Sequence, residues 1–196
     1  MIGQITHQLM PLFGSQAPAL KSGISALAAQ FELITHVSAG EQVWVSGEEK
    51  PILYFNGDGI LAEFSSHQRS MFCQRIIPQN TLFWSESSFL LWQKTDTYMR
   101  CKKASKIYGV SGHKVRELTA QYGMGYILAN TLTKMDIASY RNRSKDLCLL
   151  LPVDRLRKTI QSSPQILSSI SRDELAKYLR ISRSSLFRAI NSLHNA

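Results

Sequence analysis

Near the C-terminus, Ser182, Arg183, Ser184, Ser185 and Arg188 crowd their hydrogen-bonding groups into seven positions. An arginine forks onto O6 and N7 of guanine and a serine hydroxyl reads either base type weakly, so this set has the chemistry of base-edge recognition in a DNA groove. A merely solvated helix face would more often mix in Glu and Lys. Such a set needs an element to present it. Leu186, Ile190 and Leu193 repeat at helical spacing on the opposite side, and Ser182 is placed as an N-cap. Upstream, Leu175, Ala176 and Leu179 share a face of a second helix, and Ser171 stands three residues before Glu174, as a capping box requires. Only Leu179-Arg180-Ile181 separates the two. The stretch Ile170–Leu193 thus has the sequence form of a helix-turn-helix, whose second helix enters the major groove. A basic surface hairpin of helices is the competing reading.

The net charge of +9 is unevenly laid out. Residues 1–100 hold 6 Lys+Arg against 8 Asp+Glu, residues 101–153 hold 9 against 3, and residues 154–196 hold 8 against 3. The excess lies in the second half, as expected when one end of a chain meets a polyanion. Cys73, Cys101 and Cys148 make no C-x-x-C pair, and the five histidines fall at no ligand spacing. Neither a metal nor another cofactor is therefore expected. Ser85-Glu86-Ser87-Ser88 has no partnered base nearby in sequence, and residues 32–110 contain no His/Glu cluster, which argues against an enzyme. No stretch approaches the roughly 20 apolar residues of a membrane span, so a soluble, cytoplasmic protein with no membrane partner is expected.

In chain order, Leu20, Ile24, Leu27 and Ala28 predict a short helix over 18–31, after a looser opening that contains Pro11, Gly14 and Pro18. From Glu32 the period becomes that of strands: 32–37, 42–45, 52–55, 60–64, 70–77, 81–84, 88–92 and 97–108, with turns at Ala39-Gly40, Asn56-Gly57-Asp58-Gly59 and Pro78-Gln79-Asn80. Many short strands indicate a β-sandwich, jelly roll or barrel. A long helical stretch over 113–143 follows, carrying Leu118, Ile127, Leu128, Leu132 and Met135, which are candidates for pairing with a partner helix. Two helices broken near Gly123 and packed on the same subunit are the alternative. Pro152 predicts a bend. The resulting division is a sensor-like β-roll over 1–112, a connecting helix and hinge over 113–150, and a small α-helical reader over 151–196, an α+β architecture.

This order of parts resembles the Crp/Fnr superfamily of bacterial transcription regulators. The run Ile170–Leu193 is similar to that family's DNA-reading segment without a gap, including Arg172, Glu174, the Ser182-Arg183 pair and Arg188. Ser46-Gly47-Glu48 and the Gly57/Gly59 turn are similar to its early β-roll. The resemblance implies a cyclic-nucleotide-binding-like jelly roll and a homodimer on double-stranded DNA. It implies base contacts from Arg183, Ser184 and Arg188; with them Arg172, Arg180, Ser182 and Ser185 complete the candidate DNA-binding set. RNA polymerase is a further candidate partner. The sequence also departs from the family: Ser184 stands where many members have Glu, and Arg180 replaces the usual turn glycine. The sequence stops three residues after Leu193, so the β-hairpin wing that follows the recognition helix in relatives is expected to be missing. Trp84-Ser85 and Thr95-Asp96 stand where relatives hold a cyclic nucleotide's phosphate with Gly-Glu and Arg-Ser. Trp84 is expected to block backbone approach and Asp96 to repel phosphate, which predicts a degenerate pocket and no cyclic-nucleotide dependence. The physiological effector is not assigned. The alternative function is a protein-interaction adaptor that acts on another regulator or on RNA polymerase.

Overall fold

The structure, a computed structural model, describes residues 1–67 and 70–194. In chain order it contains α1 (Ile2–Leu9), a 3-10 turn (Met10–Gln16), α2 (Lys21–Ala29), and strands β1 (Glu32–Val37), β2 (Gln42–Trp44), β3 (Ile52–Asn56), β4 (Ile60–His67), β5 (Ser70–Ile77) and β6 (Thr81–Phe83). A π-helical turn (Glu86–Leu90), β7 (Thr97–Lys103) and β8 (Ser105–Ser111) complete the β region. The helices α3 (Gly112–Gln121), α4 (Gly125–Leu149), α5 (Pro152–Ser162), α6 (Ile166–Ser169), α7 (Arg172–Leu179) and α8 (Arg183–His194) follow. Two antiparallel four-stranded sheets, ordered β1-β8-β3-β6 and β2-β7-β4-β5, form the roll. Among the described residues no helix is long and apolar enough to cross a membrane.

Inward residues of the two sheets make the roll's interior, where Trp44, Tyr54 and Phe83 stack with centroids 5.1–5.8 Å apart. A second core lies outside the β1-β8-β3-β6 sheet and joins Leu53, Phe55 and Val110 to the helices α1, α2, α3 and α4. A third, built on Leu156, Ile166, Leu175, Leu179 and Leu186, belongs to the C-terminal helices and takes in Ile60 and Ile76 of the roll.

Three expectations are corrected. The opening residues are helical: Ile5, Leu9, Leu12 and Phe13 are buried at i, i+4, i+7 and i+8, with the geometry turning to 3-10 from Met10 and a kink at Gly14 (φ +52°). Residues 88–92 are not a strand. Ser85 caps the π-helical turn by accepting from Ser88 N–H (3.4 Å), and only one side of the apolar run is buried, Phe89 at 8 % against Leu91 at 58 % exposure. The run 97–108 is two strands in different sheets, parted at Ala104. The long helical stretch is two helices, as the alternative reading of a break near Gly123 had it. Gly123 adopts φ +66°, and the amides of Gly123 and Met124 return to the carbonyls of Ala120 (3.2 Å) and Thr119 (2.7 Å), which satisfies the end of α3 and turns the chain into α4.

Candidate nucleic-acid interface

The reader is assembled by local chemistry. Ser171 Oγ accepts from Glu174 N–H (3.3 Å) while the Glu174 carboxylate accepts from Ser171 N–H (3.3 Å), closing the capping box of α7. At its other end Arg180 sits in the left-handed region (φ +54°), with its own amide and that of Ile181 bonded to the carbonyls of Lys177 (3.2 Å) and Ala176 (3.0 Å). That is the conformation glycine adopts at lowest cost. The Arg180 guanidinium lies over the Phe72 ring of β5, 4.7 Å from its centroid. Arg180 thereby touches the β-roll while the residue itself stays exposed. Ser182 Oγ accepts from Ser185 N–H (3.1 Å) and starts α8. Leu186 and Ala189 are buried beneath that helix.

This leaves an outward stripe on α8. Arg183, Ser184 and Arg188 are exposed there, Arg183 in an ion pair with Asp173 (2.9 Å), while Arg188 Nη2 donates to Ser185 Oγ (3.3 Å). Ser182 and Ser185 serve first as cap and brace. Arg172 is exposed on the first turn of α7, a helix apart from the stripe. Sequence reasoning missed Phe187: it is 66 % exposed, one turn beyond Arg183 and Ser184 and beside Arg188. The signal was available, since 187 falls outside the Leu186/Ile190/Leu193 stripe and an aromatic residue there has no core to enter.

The reader is docked on the roll. Lys102 of β7 pairs with Glu174, Lys103 Nζ donates to Gln165 Oε1 (2.6 Å), and Arg143 Nη2 donates to the Tyr178 carbonyl (2.6 Å). Burial opposes ionisation of Glu174, but the hydrogen bonds from Lys102 and Ser171 and the Lys102 charge outweigh it and hold its pKa below the ordinary glutamate value. A lowered carboxylate pKa contributes stability at pH above the unfolded value and loses it as pH falls through the folded one. The thermal midpoint should therefore drop on acidification below the glutamate range. Glu174→Gln should be less stable at neutral pH, and the gap to wild type should narrow as pH falls; a constant gap in a calorimetric pH series would remove the linkage.

The candidate ligand-pocket residues are partly brought together. Ser85, Thr95 and Asp96 line one cavity of about 200 Å³ with Glu63, Arg75, Glu86 and Tyr140. Trp84 does not line it, which corrects the expectation that its ring blocks the backbone. Its indole is buried and donates to Asp136 Oδ2 of α4 (2.8 Å). Arg75 is the cavity's one cation among the described residues, and it is fully engaged. Its Nε donates to Glu63 (2.6 Å), Nη2 to the Trp84 carbonyl (2.6 Å), and Nη1 lies 3.7 Å from Asp136. Glu63 also accepts from Thr97 Oγ1 (2.8 Å). Burial raises the Asp136 pKa, opposed by the Trp84 hydrogen bond and the Arg75 charge.

Of the residues expected to pair with a partner, Leu118, Leu128 and Leu132 are 7 %, 3 % and 1 % exposed in the chain's own core, and Ile127 packs against it. The three leucines are thus core residues rather than pairing ones, while Ile127 is half-buried and Met135 is 44 % exposed. A different stripe runs along the outer side of α4: Tyr126, Asn130, Thr133, Ile137, Tyr140, Ser144 and Leu147 recur at alternating spacings of four and three. Tyr126, Ile137 and Tyr140 are 82 %, 45 % and 55 % exposed, while Asn130 and Leu147 are half-buried. That alternation has the spacing a coiled-coil seam requires.

No protein-family model and no curated protein matches the sequence. Solved structures do. The c-di-GMP-responsive global regulator CLP of Xanthomonas campestris superposes with a TM-score of 0.62 at 15 % identity, covering 89 % of this chain and 92 % of that one. FixK2 of Bradyrhizobium japonicum gives 0.65 at 13 %, covering 82 % and 83 %, and the catabolite activator protein of Thermus thermophilus gives 0.56 at 18 %, covering 94 % and 87 %. The likeness thus extends over most of each chain at identities that carry the fold alone. The fold of this protein is that of the Crp/Fnr regulators.

Proposed function

We propose that the protein is a homodimeric, DNA-binding transcription regulator of the Crp/Fnr type that works in the cytoplasm without a cyclic nucleotide. The observation that carries this reading is the outward stripe of α8, where two arginines, a serine and an exposed phenylalanine stand on a helix whose opposite side is packed into the core of the reader. Arg183 and Arg188 suit guanine edges, and Phe187 suits the C5-methyl of thymine. Arg172 suits a backbone phosphate, because it stands at the N-terminus of α7, where a positive dipole end adds to its charge. The seam of α4 supports a two-fold pairing that would set two α8 helices on successive major grooves. RNA polymerase remains a candidate second partner on fold analogy alone.

Salt titration tests the reading. Each phosphate neutralised adds about 0.9 to the slope of log affinity against log salt, so a reader should show a slope of several units. An adaptor that acts only on another protein need show none, and a flat titration would favour that alternative.

Independence from cyclic nucleotides is supported by the lining of the roll's cavity. Glu63, Glu86 and Asp96 present carboxylates there, and Arg75 is already held between Glu63 and Asp136. A phosphate would have to displace a buried ion pair and approach like charge. Calorimetric titration with cyclic AMP and cyclic GMP should detect no binding inside the roll; micromolar affinity for either that is lost when Thr95→Trp fills this cavity would overturn this part.

A further inference from the structure

A second cavity, of about 440 Å³, lies where the end of β5, the C-terminal half of α4, α5 and the end of α7 meet. Arg143 of α4 and Arg155 and Lys158 of α5 line it, against one carboxylate, Asp146. Arg75 reaches its wall too, but that charge is matched by Glu63 and Asp136. Arg143 donates to the carbonyls of Cys73 (3.3 Å) and Tyr178 (2.6 Å), and Arg155 Nη1 donates to that of Leu179 (2.6 Å). Neutral carbonyls occupy guanidinium hydrogens without cancelling the charge. Arg155 Nε is buried with no acceptor, an unfavourable state for a charged donor. Lys158 meets Asp146 at the lip (2.5 Å), and Ile77, Pro78 and Leu147 supply apolar wall.

We infer that this cavity is an effector site for a small phosphorylated metabolite. Arg143, Arg155 and Lys158 take the phosphate oxygens through charge-assisted hydrogen bonds, and the apolar wall takes the organic part. The volume is in the range of small-ligand pockets. The placement gives the site its consequence: Arg143 precedes the bend at Leu150-Leu151-Pro152, while Arg155 and Lys158 follow it. A ligand gripping both sides fixes the angle between α4 and α5, and with it the position of α7 and α8. The site adjoins the acidic cavity of the roll, sharing Gln74 and Arg75 with it, and differs from it in the sign of its lining charge. Binding there stands on its own; its effect on DNA affinity rests on the regulator reading.

Thermal unfolding and calorimetry of the full chain, with ATP and inorganic pyrophosphate as probes, test the inference. Saturating ATP should raise the midpoint by about 3 °C. The rise should vanish in Arg155→Met and in Lys158→Ala, and persist in the Arg183→Ala/Arg188→Ala double variant. Because Arg155→Met also removes the hydrogen bond to Leu179, the lip variant Lys158→Ala keeps the test clear of folding defects. Pyrophosphate should act more weakly than ATP, since it has nothing to lay on the apolar wall; an equal response overturns the assignment to an organic phosphate. No response to ATP, or a response that survives Lys158→Ala, overturns the site. So does a response lost in the double variant, which would place the anion on the outward face of α8. ATP binding by a protein that binds no DNA would leave the site standing and remove the regulator reading.

Discussion

Arg188→Ala should weaken binding to a DNA half-site by about tenfold to a hundredfold and relax base choice at one position, since a bidentate arginine–guanine pair is worth about 1–3 kcal/mol. Arg183→Ala should do the same at a different position, with a smaller loss, because Arg183 must first leave Asp173. Phe187 offers a cleaner readout. Replacing thymine by deoxyuridine deletes a single methyl group from the groove, so wild-type binding should weaken at the contacted step while Phe187→Ala is indifferent to the change. None of these side chains is buried, so folding should be unaffected. Unchanged affinity in both arginine variants would remove α8 as the reading element.

Ile137→Glu should convert the dimer to a monomer. It places a carboxylate from each copy at the centre of the α4 seam, where desolvation and like-charge repulsion act together. Sedimentation at micromolar concentration should report half the mass, and binding to a two-half-site operator should fall by about a hundredfold or more as the second contact becomes bimolecular. Affinity for an isolated half-site should not change. The contrast is Leu132→Ala, which lies only five residues away but is 1 % exposed. It should cost about 2–5 kcal/mol of folding stability, the usual range for a large-to-small change in a core. A dimer that survives Ile137→Glu would move the interface off α4.

The two α4 variants show where sequence reading stops. A 25-residue helix with apolar residues on several sides carries more than one plausible stripe, and local periodicity cannot say which one meets the chain's own core. The choice is made by partners far away in sequence: Leu53, Phe55 and the N-terminal helices claim Leu128 and Leu132, and Trp84 claims Asp136. The same limit hid the Glu63–Arg75 pair, which is made by adjacent strands at positions that a sequence pass reads as ordinary alternation. By contrast the reader was legible almost residue by residue, because a capping box, a cap serine and a 3.6-residue period are local physics. The strands were legible from alternation and turns, except at Ser88–Trp92, where a short apolar run suits a strand or a tight helical turn equally well, and at Ala104, where no turn residue marks the passage from one sheet to the other.

Asp136 has one more effect, on rotational phase. A helix turns as a rigid body, so anchoring Asp136 to Trp84 and Arg75 inside the roll dictates the direction in which Ile137, about 100° further round, must point. The proposed seam would thus be indexed from within the β-roll. One residue inserted after Asp136 would swing everything beyond it by about 100° and split the seam in two without altering any seam residue. Seven inserted residues, close to two full turns, would bring it back into phase.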